Sequence, residues 1–128
     1  MKFMMFVKSA AVNQGQPPPK PLMDAISRSA EEEVKAGRML LTGGLAPPSL
    51  STHVRLTKGK VATTDGPFSE AKEVVGGFAV FEFPTKEEAV KSAVDFMELH
   101  RKHWPGWEGE TEVRQIFGPE DMPQCQGK

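Results

Sequence analysis

The chain has 128 residues, with 16 basic and 17 acidic side chains and a net charge of −1. That length corresponds to one domain able to bury about two-thirds of its unfolded surface, and the balanced charge leaves no basic surplus to neutralise a nucleic-acid backbone. The longest apolar run, residues 3–7, is far too short to span a bilayer.

Residues 2–8 read as a strand whose apolar side chains fall on both faces, so both faces call for burial. This opening stretch carries a single lysine and no small-residue cleavage site, so a strand rather than a secretion leader is expected there. Residues 13–21, with Gly15 and Pro17-Pro18-Pro19, read as an extended loop, because proline fixes φ and lacks an amide hydrogen. Residues 22–37 read as the first helix. Leu22, Ile26, Ala30 and Val34 recur every four residues as one apolar stripe, Glu31, Glu32, Glu33 and Lys35 belong to the wet side, and Gly37 marks the end. Residues 38–45 form a second strand, interrupted by Gly43-Gly44 and ended by Pro47-Pro48.

Residues 52–64 alternate as a hairpin, with Lys58-Gly59 as its two-residue turn. That register sets Leu56 opposite Val61, Arg55 opposite Ala62 and His53 opposite Thr64. Residues 74–83 are the next strand, with Phe78 and Val80 on one side and Ala79, Phe81 and Phe83 on the other. Thr85-Lys86-Glu87-Glu88 is a capping box. It opens a helix that runs to about residue 100 or 102, with a core stripe of Ala89, Val90, Ala93, Val94 and Met97, flanked by Phe96 and Leu99. Pro105 and Gly106 stop this helix, and residues 110–117 alternate as the last strand. Residues 1–121 are thus one domain and 122–128 a polar tail. The lone cysteine, Cys125, sits in that tail, so neither an intrachain disulfide nor a cysteine zinc site is expected, and a cytoplasmic location fits.

With the hairpin set aside, the order is strand, helix, strand, strand, helix, strand, the split βαβ pattern of a ferredoxin-like α+β fold. Two helices cover one face of such a sheet and leave the other bare. Yet residues 3–7 and 77–83 are apolar on both faces, and a monomer rarely leaves that much apolar surface wet. A second copy packed sheet against sheet would cover it; a loop or the inserted hairpin folding over the face is the other way.

One stretch is more specific. Thr64-Asp65-Gly66-Pro67-Phe68-Ser69-Glu70-Ala71-Lys72-Glu73-Val74-Val75-Gly76-Gly77-Phe78 resembles the signature of the DGPF, or YCII-related, family. Lys2-Phe3-Met4, Leu41-Thr42-Gly43-Gly44-Leu45 and Glu112-Val113-Arg114-Gln115-Ile116-Phe117 extend the resemblance to nearly the whole chain. It implies a ferredoxin-like domain that forms a dimeric α/β barrel. For some YciI-like relatives it implies a His–Asp pair, with the histidine on the first helix, and for one branch a lyase-type elimination. Residues 22–37 hold no histidine, and Ile26 or a neighbour stands at that position. Other relatives sit beside sigma factors, which implies a regulatory role.

Asp65 opens the signature turn, either as an Asx-turn acceptor that fixes the loop or as a functional carboxylate. His53 is its best partner for an acid–base dyad, since imidazole titrates near neutrality; the alternative is an exposed strand residue. Arg55, on the face of His53, could clamp a carboxylate or pair with Glu70 or Glu73. Glu70 and Lys72 follow the turn as further candidate ligand contacts or as solvated charges, and Trp104 lines a pocket mouth or packs in an aromatic loop with Trp107. His100 and His103 share a helical face but lack a third ligand at a recognised metal spacing, so they read as helix-end residues complementing the dipole. No phosphate-loop, dinucleotide or nucleophile-elbow pattern occurs in the sequence, and no cofactor or metal is expected. The reading is a homodimeric domain that binds a small anionic or aromatic ligand in a polar pocket near the Asp-Gly-Pro-Phe turn. The alternatives are a cofactor-free lyase, isomerase or hydrolase using His53 and Asp65, and a regulatory interaction protein.

Overall fold

Alternation places Phe3, Met5 and Val7 on one side of the first strand and Met4 and Phe6 on the other. That strand, β1 (Lys2–Ala10), runs through the middle of the sheet in a computed structural model that describes residues 1–10, 17–66 and 73–121. It is followed by α1 (Lys20–Lys35), β2 (Met39–Gly44), β3 (Thr52–Thr57), β4 (Lys60–Asp65), β5 (Glu73–Glu82), α2 (Lys86–His103) and β6 (Gly109–Ile116). The main sheet has the order β2-β5-β1-β6, and every neighbouring pair is antiparallel. With β3 and β4 set aside, this α+β arrangement is compatible with a ferredoxin-like fold.

α1 begins two residues before the position its apolar stripe suggests. Pro21 falls in the first turn, where amides have no intrahelical partner, so proline costs nothing there. α2 starts as its capping box dictates: the Thr85 hydroxyl accepts from the Glu88 amide at 3.2 Å. β3 and β4 pair in the expected register, Leu56 with Val61, Arg55 with Ala62 and His53 with Thr64. Lys58 and Gly59 both take positive φ, 53° and 77°, which gives the turn the twist a two-residue hairpin needs.

Phe3, Met5, Phe81, Phe83, Ala89 and Ala93 form the buried core, with Met39, Ala79 and Val113 packed against it. All of the core strand residues lie on the helix side of the sheet. The other side carries Met4 and Phe6 of β1, Phe78 and Val80 of β5 and Leu41 of β2, which meet in register. Leu41 is 57% exposed. Beside this apolar patch runs a charged margin, where Lys8 pairs with Glu112 at 2.6 Å and Arg114 pairs with Glu112 and lies over the Phe6 ring. The hairpin does not cover the face: β3 and β4 form a separate sheet, and all their residues are exposed. No helix among the described residues is long and apolar enough to cross a membrane.

Candidate functional site

The two helices do not close over the sheet. α1 was expected to seal against the core along Leu22, Ile26, Ala30 and Val34. Instead Leu22 and Ala25 are buried, Ile26 and Ala30 are half-buried, and Val34 is 58% exposed. Ile26 and Ala30 face a groove of about 1440 Å³ between the helices and the sheet, floored by Met5, Val7 and Ala79 and walled on the far side by Ser92 and Phe96. An apolar stripe has the same spacing whether it seals a core or lines a cavity.

α2 keeps Ala89 and Ala93 of the stripe expected from sequence, loses Val90 and Val94 from it and extends it to His100. Ala89, Ala93 and His100 are buried, Phe96 is half-buried between them, and Val90 and Val94 are exposed. Spacings of four, three and four residues put 89, 93, 96 and 100 on one helical face. His100, expected as a helix-end residue complementing the dipole, is therefore 6% exposed and lines the groove. Its imidazole packs between Phe96 and Trp107, with ring centroids 4.7 and 4.6 Å away, and Trp104 stacks on Trp107 at 5.9 Å.

Nδ1 of His100 lies 3.0 Å from the Phe96 carbonyl oxygen, which can only accept, so Nδ1 carries the hydrogen. Nε2 then bears the lone pair. Burial holds the His100 pKa below its ordinary 6.5, opposed by the Phe96 carbonyl. Glu98, Arg101 and Glu108 share a smaller adjoining cavity with it, and His103 shares the groove, yet none of them contributes a resolved shift. The consequence for stability has a definite sign. Below the ordinary value the unfolded chain takes up a proton that the folded chain refuses, so stability present above that pH is lost as pH falls. The stability advantage of wild type over His100→Gln is expected to shrink between about pH 7.5 and about pH 5.5. Urea titrations across that range check this.

The hairpin holds the residues singled out in the sequence. Asp65 Oδ1 accepts from the Thr52 hydroxyl at 2.6 Å, across the Thr52–Asp65 pair. His53 pairs with Thr64 and Asp65 with Thr52, and successive strand residues point to opposite faces, so the register places His53 and Asp65 on opposite sides of the hairpin. Gly66 is required by close approach: its amide donates to the Ser51 carbonyl at 2.9 Å, and a Cβ there would stand 2.6 Å from the Pro48 carbonyl oxygen. The two described residues of the Asp-Gly-Pro-Phe turn thus tie the hairpin base to the preceding turn, Pro48–Leu50. Arg55 shares the exposed hairpin face of His53; neither of them nor Asp65 lines the two cavities. Glu70 and Lys72 lie outside the described residues. Trp104 lines the groove. At the groove's other end Arg38 holds Glu33 in a two-point pair, Nε to Oε2 at 2.6 Å and Nη2 to Oε1 at 3.1 Å, so this guanidinium is already engaged by a carboxylate.

Comparison with known proteins agrees with the signature. A protein of Rhizobium meliloti (strain 1021), described only as uncharacterized, is 27% identical over 104 residues, which cover 80% of each chain. The model of the YCII-related domain matches residues 1–96, and the chain belongs to that family.

Proposed function

We propose that the protein is a homodimeric small-molecule-binding domain, paired through the open sheet face, that takes its ligand in the groove between helices and sheet. The groove carries this reading: its apolar walls with a few polar groups are those of small-molecule sites, and its volume of about 1440 Å³ is ample for a small ligand. This moves the expected site away from the hairpin to the aromatic end of α2. Pairing is supported by the apolar patch of Met4, Phe6, Phe78, Val80 and Leu41 beside a charged margin, the anatomy of a protein interface. The isolated hairpin supports it too. Two strands alone are marginal in water, and Val54, Leu56 and Val61 share one side of this hairpin, each about two-thirds exposed or more.

The chain's two tryptophans, Trp104 and Trp107, both line the groove, so a bound ligand reports itself in their fluorescence. A metabolite screen by thermal shift is expected to give hits that also change tryptophan emission. Those hits should be weakened in Ala30→Phe, which narrows the groove, and kept in Arg55→Ala on the hairpin. Hits that survive Ala30→Phe and vanish with Arg55→Ala would return the site to the hairpin and defeat the groove reading.

A further inference from the structure

His100 is the one polar side chain in the chain's described residues that is classed as buried, and nothing in the fold's own bonding uses both of its nitrogens. Nδ1 is committed to the Phe96 carbonyl. Nε2 has no hydrogen-bond partner among the described residues, yet no fully enclosed nitrogen or oxygen among them lacks one, so Nε2 keeps some exposure on a side chain that lines both cavities. We infer that His100 is the ligand-contacting acceptor of the groove, its Nε2 taking a hydrogen bond from the O–H or N–H of a planar aromatic molecule. The inference rests on the groove being a ligand site and names the class of ligand.

Two features select that class. Phe96, His100, Trp107 and Trp104 form a continuous run of rings at one end of the groove, a surface that favours a flat apolar partner. The lone pair at its centre repels a carboxylate and rewards a donor, because a ligand that displaces water without donating leaves the acceptor unsatisfied. Of the anionic and aromatic ligands expected from sequence, the run of rings with its acceptor fits the aromatic donor; the cations that line the groove, Arg28, Arg38, Lys91 and Lys102, are not part of that run, and Arg38 and Lys91 are held by Glu33 and Asp95.

The probes are p-cresol, which is planar and donates through its hydroxyl, and its O-methyl ether, which keeps the ring and lacks the donor. Nitrogen-15 NMR of the wild-type imidazoles should show the His100 lone pair on Nε2 and a shift of that resonance on adding p-cresol. By the same titration p-cresol is expected to bind about tenfold more tightly than the ether, the worth of one buried hydrogen bond. In His100→Phe, which keeps a ring and removes both nitrogens, the two probes should bind alike. Equal binding of both probes to wild type with Nε2 unshifted, or a lone pair found on Nδ1, overturns the acceptor role and leaves the groove as a binding site. If neither probe binds, the inference falls, while the groove reading still stands or falls by the metabolite screen with Ala30→Phe. The wild-type measurements decide the matter even if His100→Phe does not fold.

Discussion

Phe3→Ala is expected to lower the unfolding free energy by about 3–5 kcal/mol, a large share of the 5–15 kcal/mol that holds a typical domain together. Phe3 sits on β1, one of the two strands with neighbours on both sides, and is 1% exposed. It is paired with Phe81 on β5 and packs in the cluster with Met5, Phe83, Ala89 and Ala93. Removing the ring forfeits its transfer free energy and opens a cavity between sheet and α2. The alanines of α2 are too small to fill that space, and the strand cannot move inward while bonded on both edges. Urea unfolding followed by circular dichroism at fixed protein concentration should show a lower midpoint with an unchanged slope. A loss under about 1 kcal/mol would mean that the core does not centre on this residue.

The parts of the fold visible in sequence were those set by local rules. The hairpin could be paired residue by residue because alternation and a two-residue turn fix register, and the structure pairs His53, Arg55 and Leu56 as expected. The order of strands and helices followed from period changes and the capping box at Thr85. What local rules do not fix is how far a helix stands from the sheet. The α1 stripe of Ile26 and Ala30 was legible as apolar, but that it lines a groove depends on helix placement, which spacing alone does not encode. The α2 stripe was legible at Ala89 and Ala93, which are buried, but it was drawn too wide: Val90 and Val94 are exposed, because small residues are what let a helix approach two stacked phenylalanines, Phe81 and Phe83. The stripe also stopped at Met97, one turn short of His100. The spacing from Ala89 through Ala93 and Phe96 to His100 was the signal that would have placed it inside. Asp65 was prominent for a different reason: it stands in a distinctive turn, and its described bond, to Thr52, is a structural one.

If the protein pairs through the sheet face as proposed, Val80→Asp is expected to convert dimer to monomer, with the dissociation constant rising at least about a hundredfold. Val80 lies on the open face, in register with Met4 on one side and Leu41 on the other. In a two-fold pairing the substitution appears twice, and each carboxylate would be drawn from water into an apolar contact. Even about 1.5 kcal/mol per copy reaches the hundredfold effect, and unpaired buried charges cost more than that. The side chain points away from Phe3 and Phe81, so the monomer should keep its fold and its circular dichroism. Val90→Asp, on the outer side of α2 and 40% exposed, is the matched control and should leave the mass in solution unchanged. Sedimentation equilibrium on the three proteins separates the possibilities. A monomeric wild type at tens of micromolar would remove the pairing altogether. A Val80→Asp protein that still sediments as two copies, while Val90→Asp does not, would move the interface to the helices and leave the apolar sheet face in need of another occupant.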